Sequence, residues 1–145
     1  MIRIVEPTEL PALSKLARAS FEAQLAPQFS EAGREEYLRF TTPEAMAARA
    51  AAGHQFLASR LGEHWIVMAE VRESTHLVML FVAPDFLGAG YGSGMLARVL
   101  AMGVETVNAA PPARGFYERA GFAAQGEEQE KNGIRFVPMR WKGER

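Results

Sequence analysis

Ile2 and Ile4 flank Arg3 in an apolar–polar alternation that predicts a short first strand. Thr8 then offers an N-cap hydroxyl, and Glu9 puts negative charge in a first helical turn, where the dipole favours it. Leu10, Leu13, Leu16, Ala17, Ser20, Phe21 and Leu25 recur at three- and four-residue spacing. They form one face of an amphipathic helix that ends near Pro27. A second helix is predicted over 30–40, carrying Tyr37, Leu38 and Phe40. The third has Thr42 as cap, Pro43 at its first position, an Ala-rich body and Gly53 as its stop. The pattern switches at His54. Residues 55–59, 65–71 and 76–82 are short runs rich in Val, Ile, Phe and Leu, separated by polar segments short enough for hairpins. An antiparallel meander is expected. A glycine cluster follows Pro84, then a helix over 95–102 stopped by Gly103. A fifth strand over 104–108, a short helix over 113–120 and a closing strand over 135–141 complete the pattern.

A chain of 145 residues is one domain's worth, and no interdomain linker or repeat is visible. The single domain over 1–145 has a strand-plus-helices part at 1–53 and a sheet part at 54–145. Hydrophobic residues at 48% and charged residues at 23% exclude a disordered or collagen-like chain. Sixteen basic against 17 acidic residues leave a net charge of −1, so the electrostatic footprint for nucleic acid is missing. The absence of cysteine excludes a disulfide framework, a thiolate zinc site and a thiol nucleophile. His54, His64 and His76 lack the close spacing of metal ligands, so no metal is expected. The longest apolar run, near Leu77, falls far short of the ~20 residues a membrane helix needs. The opening MIRIVEPTEL has no basic segment followed by an apolar stretch, and a cytoplasmic location is expected.

Gly88, Ala89, Gly90, Tyr91, Gly92, Ser93 and Gly94 sit between a predicted strand and a predicted helix. Glycines let the backbone approach a ligand, and a helix N-terminus supplies unpaired N–H groups and a positive dipole end. That arrangement suits a pyrophosphate. A P-loop would need a Lys followed by Ser or Thr, and the cluster has no Lys. A dinucleotide fingerprint can be laid on Gly92, Gly94 and Ala97, but it should open an N-terminal βαβ unit rather than follow a meander. Taken alone, the cluster also reads as a plain strand-to-helix turn.

Its surroundings add a third reading. Val82-Ala83-Pro84-Asp85-Phe86-Leu87-Gly88-Ala89-Gly90-Tyr91-Gly92 resembles the acyl-CoA loop of the GNAT superfamily of N-acetyltransferases. Further on, Asn108 followed by Phe116-Tyr117-Glu118 and then Gly121-Phe122 is similar to that family's second signature. The resemblance runs from about Gln55 to Met139, with two departures. Leu87 stands where the family has Gln or Arg, and the helix over 93–102 is short. The resemblance implies an α/β fold of the α+β type. It would be a single domain with a mixed, largely antiparallel sheet of about six strands. Helices would cover both faces, and splayed strands would hold acyl-CoA.

By the same resemblance, acetyl-CoA is the co-substrate and an amine attacks its thioester directly. Main-chain N–H groups from Gly88 to Ser93 would hold the pyrophosphate, with Leu87 beside them on the cofactor, and Leu80, Phe81 and Val82 would pair with the pantetheine arm. Tyr117 matches the family's general acid; it also reads as a buried aromatic packing with Phe116 and Phe122. Asn108 would bond the cofactor, or simply end its strand. For the general base, His76 has an ordinary pKa of about 6.5 that suits neutral pH, yet it also reads as an exposed residue opening a strand. Glu70 is a second candidate, and a bound water a third. Phe21, Gln24, Tyr37 and Phe40 fall in the helical region that the resemblance puts on the acceptor side, and most of the aromatics among them read as core. Glu127, Glu128, Glu130 and Lys131, beside Asn132-Gly133, read as a solvated turn. The expected partner is a small-molecule or peptide amine, and exposed sheet edges would permit a homodimer. An acyl-CoA-binding sensor without turnover would carry the same loop.

Overall fold

A computed structural model describes residues 1–144. Strands β1 (Arg3–Ile4), β2 (Gln55–Leu61), β3 (His64–Arg72) and β4 (His76–Val82) are successive antiparallel neighbours, as the meander predicts. Beyond β4 lie β5 (Thr106–Ala109), β8 (Ile134–Trp141) and β6 (Phe122–Ala124), while β7 (Gln129–Lys131) forms a hairpin with β8 off the main path. Among the described residues only the β4–β5 pair is parallel. The sheet is mixed and largely antiparallel, with eight strands rather than about six. β6 and β7 are three residues each, too short to show an alternation. β7 is exposed at all three positions, so backbone pairing with β8 holds it rather than burial. Part of the charge run expected as a solvated turn is therefore a strand.

Helices α1 (Leu10–Gln24), α2 (Glu31–Phe40) and α3 (Pro43–Ala51) pack on one face; α4 (Tyr91–Met102) and α5 (Arg114–Arg119) pack on the other. Two cores result, because neighbouring strand residues point to opposite faces. Leu57, Val67 and Ala69 meet Met95, Leu96 and Val99 of α4. Phe56, Ala58 and Met68 meet Leu13, Ala17 and Phe21 of α1. Ser30 and Thr42 cap α2 and α3 as expected, accepting from the Gly33 and Ala45 N–H groups. Thr8 does not cap α1; a tight turn over Pro7–Glu9 precedes that helix, and the Glu9 carboxylate accepts from the Glu6 N–H. α4 begins at Tyr91 rather than near Met95, so Gly92 and Gly94 lie in its first turn.

Two features of β4 position the site. Glu70 faces Met79, but Val71 faces Leu77, so Val78 is an extra residue, a β-bulge. Past the bulge the faces re-sort: Val78, Met79 and Phe81 join one core, and Leu80 and Val82 the other. Pairing with β5 is confined to His76–Thr106 and Leu77–Val107, and it ends where the bulge begins. From there β4 and β5 diverge.

Candidate active site

The divergence opens a cleft of about 1090 Å³ that passes through the sheet from one face to the other. Its walls are Val78–Val82 of β4 and Val107–Ala109 of β5, with one mouth at the glycine loop and the other at α2 and the β7–β8 hairpin. Leu80, Phe81, Val82, Leu87, Gly88, Gly90, Tyr91, Gly92, Ser93, Asn108 and Tyr117 all line it. The cleft thus gathers every cofactor-side residue singled out in the sequence except Ala89, which sits exposed in the loop.

The loop is shaped for an anion. Gly88 and Gly90 take φ of 79° and 88°, the left-handed region that L side chains resist, and nothing lies within 4 Å of where a Cβ would stand on either. The first bond of α4 runs from the Gly94 N–H to the Gly90 carbonyl, at 3.0 Å. The N–H groups of Tyr91, Gly92 and Ser93 therefore have no partner within the helix and sit at its positive dipole end. A Cβ on Gly92 would stand 3.3 Å from Val82 Cγ2 and 3.5 Å from the Phe116 ring. Glycine here lets the helix start close against β4. An open cradle ringed by unpaired N–H groups fits a pyrophosphate.

Tyr117 sits on α5, its ring edge-on to Phe116 and Phe122 at centroid distances of 5.0 and 5.5 Å. Burial pushes its hydroxyl well above the usual tyrosine range, so the group stays protonated at any working pH. On the other face Tyr37 stacks on Phe21 at 3.9 Å and donates to Met79 Sδ; burial likewise raises its hydroxyl. Gln24, Tyr37 and Phe40 line the cleft, whereas Phe21 is wholly core. Gln24 Nε2 donates to Ser20 Oγ at 2.7 Å, beside the Val82 carbonyl that also accepts from Ser20.

Neither base candidate lines the cleft. His76 lies at the closed end of the splay, its Nδ1 2.8 Å from Thr106 Oγ1; burial first, then Arg72, lowers its pKa. Glu70 is 0% exposed on β3. Both its oxygens take the Arg49 guanidinium, at 2.7 and 3.0 Å, and Oε2 lies 2.7 Å from His54 Nδ1. Arg49 also donates to the Phe40 carbonyl and lies 3.7 Å over the Phe40 ring. That carboxylate clamps α3 to the sheet. Sequence reading passed over Glu36, Arg39, Arg49 and Arg135 on the cleft, and placed Lys131, also on the cleft, in a solvated turn. None of the five belongs to a motif.

The comparisons with known proteins agree with this architecture. Residues 25–143 match the family model described as an acetyltransferase (GNAT) domain. The chain belongs to the GNAT acetyltransferase family, whose activity is acetyl transfer from acetyl-CoA. Among solved structures it is similar to a GCN5-related N-acetyltransferase from Rhodopseudomonas palustris, at 24% identity and a TM-score of 0.80, covering 97% of this chain and 94% of that one. It is also similar to the PaiA N-acetyltransferase of Thermoplasma acidophilum solved with coenzyme A, at 20% identity, TM-score 0.72 and coverage of 97% and 98%. A spermidine N-acetyltransferase variant from Vibrio cholerae shares 16% identity at TM-score 0.65, covering 97% and 94%. At these identities the likenesses speak for the fold. No curated protein matches the sequence. No described helix is long and apolar enough to cross a membrane.

Proposed function

We propose that this protein is an N-acetyltransferase that moves the acetyl group of acetyl-CoA to a primary amine by direct attack while both are bound. The observation that carries this reading is the through-sheet cleft, with a glycine cradle at one mouth and Tyr117 in its wall. Gly88, Gly90, Tyr91, Gly92 and Ser93 hold the pyrophosphate through main-chain N–H groups. The edge of β4 from Met79 to Val82 has no strand partner on the β5 side and offers its backbone to the pantetheine arm, apart from the Val82 carbonyl that Ser20 and Gln24 take, and Asn108 adds an amide from β5. Leu87 is half exposed at the rim, so the cradle rests on backbone alone at that point. Acetyl-CoA supplies the activated acetyl group as a thioester.

Tyr117 donates a proton to the departing sulfur as negative charge develops there. A free thiol titrates near 8.5 and a free tyrosine near 10; burial raises the Tyr117 hydroxyl further, which keeps its proton in place until sulfur develops charge. With His76 and Glu70 off the cleft, the acceptor's proton leaves to water. The rate then rises with pH until the amine itself is deprotonated. Conversion of Tyr117→Phe separates this reading from a sensor that only binds acyl-CoA. Thiol release in the presence of an amine should fall roughly 10²–10⁴-fold, with the acetyl-CoA dissociation constant held within about twofold. A wild-type protein that binds acetyl-CoA and releases no thiol with any amine would be the sensor.

A further inference from the structure

The wall opposite the glycine loop carries its own charge signature. α2 and the β7–β8 hairpin close that wall, and they are locked together at glycine. A Cβ on Gly133 would stand 2.5 Å from the Gly33 nitrogen, so no side chain fits between helix and turn. The hairpin register sets Lys131 against Ile134 on one face and Arg135 against Glu130 on the other, and both cations are among the residues lining the cleft mouth. Arg39, Arg49, Lys131 and Arg135 line this side, and Glu36 is the one carboxylate lining the cleft among the described residues. Glu70, beneath Arg49, neutralises that guanidinium. Three cations then remain against one carboxylate.

Arg39 lies 3.4 Å from Glu36, an exposed pair that sets one of the three cations against that carboxylate. Arg135 reaches Glu128 at 3.4 Å, with both side chains more than two-fifths exposed; a solvated pair of this kind holds its partner weakly. Arg135 also donates to the Gln28 carbonyl at 3.0 Å, which fixes its direction without using its charge. Lys131 makes no ion pair among the described residues. Neither Glu128 nor Glu130 lines the cleft. Below these groups the floor is aromatic, with Phe29, Tyr37, Phe40 and Phe81. An anion is the partner that this surplus of positive charge above an apolar floor would select.

We infer that the acceptor is a primary amine that also bears an anionic group, a carboxylate or a phosphate, read by Lys131 and Arg135 of the β7–β8 hairpin. The inference rests on the acetyltransferase reading of the same cleft. A polycationic amine would meet like charge at this mouth and be rejected.

The test is a set of matched amines assayed with acetyl-CoA, each rate corrected for its free-amine fraction. Phenylalanine is compared with phenethylamine for the carboxylate arm, and phosphoethanolamine with ethanolamine for the phosphate arm; spermidine is the polycation. The anionic member of at least one pair should lead its partner by about tenfold or more in kcat/KM, and the winning arm identifies the anion. Lys131→Glu should erase that ratio while acetyl-CoA affinity, measured by titration, stays within about twofold. Arg135→Gln repeats the test where the hairpin contact to Gln28 is removed along with the charge. Preference for the neutral amines or spermidine overturns the inference and leaves the acetyltransferase reading standing. Weakened acetyl-CoA binding in Lys131→Glu also overturns it, because the lysine would then serve the cofactor's phosphates. Transfer to no amine at all overturns the acetyltransferase reading, and this inference with it.

Discussion

On the α4–α5 face of the sheet the cleft meets main chain at the loop of Gly88 and Gly90, the first turn of α4 and the edge of β4, with Phe116, Tyr117 and Arg119 of α5 beside them. On the α1–α3 face side chains wall it from five separate stretches, one of them Phe29 between α1 and α2. Gln24 comes from α1, Glu36 to Phe40 from α2, Arg49 from α3, and Lys131 to Phe136 from the hairpin. The difference teaches where specificity can vary. A main-chain cradle needs glycine and a helix start, and it reads the part of a ligand common to every reaction. A wall of side chains can change its ligand by point substitution with the cradle untouched.

Three substitutions would break or sharpen this division. The largest effect is expected at Glu70→Ala, which leaves the Arg49 guanidinium, only 17% exposed, without its carboxylate. Breaking a buried pair from one side should cost roughly 3–5 kcal/mol, read as a loss of unfolding free energy in urea. A loss below about 1 kcal/mol would mean the pair does not anchor α3. Next comes Gly33→Ala, whose new Cβ would run into the Gly133 carbonyl and push the hairpin off α2. Overpacking of that kind costs about 1–3 kcal/mol. The acceptor KM should rise several-fold with acetyl-CoA affinity unchanged; an equal change in both would deny that the two faces act separately. The smallest effect belongs to Glu9→Gln, at the far edge of the sheet. The Arg3 guanidinium first, then the Glu6 N–H, holds the Glu9 carboxyl down at about 2 against an ordinary 4.5. A carboxyl depressed in the folded state contributes stability above its unfolded pKa and loses it as pH falls through the folded one. Thermal melts of Glu9→Gln should therefore lose part of the wild-type decline between pH 4.5 and 2, with activity unaffected.

The same division decided what could be read from the sequence. The meander, α2 and α3 with their Ser30 and Thr42 caps, and the cofactor-side residues of the cleft follow from local patterns that a fold must honour. The glycine run and the Phe116-Tyr117 signature carry their meaning in adjacent residues. The opposite wall carries none, because Arg39 of α2, Arg49 of α3, Lys131 of β7 and Arg135 of β8 come to one cleft only when the chain folds. Glu70 illustrates the loss. An acid in an apolar strand suggests chemistry in one dimension, and only the arrival of Arg49 and His54 in space reveals a clamp. The β4 bulge was equally hidden, since Val78 and Met79 differ in no visible way from their neighbours until the register with Glu70 and Val71 is known. Strands of three residues, β6 and β7, fall below any periodicity a sequence can display.

The most direct test of the cradle, and so of the whole account, is a calorimetric titration of the wild-type chain and Gly90→Val with acetyl-CoA, with NADH as the control ligand. Gly90 sits at φ 88°, a conformation that costs an L residue roughly 1–2 kcal/mol, and a branched side chain there would fill the open space over the loop. The account predicts saturable binding of acetyl-CoA to the wild type, binding weaker by about tenfold or more in Gly90→Val, and no heat with NADH. No binding at millimolar acetyl-CoA, or equal affinity in both proteins, would contradict it.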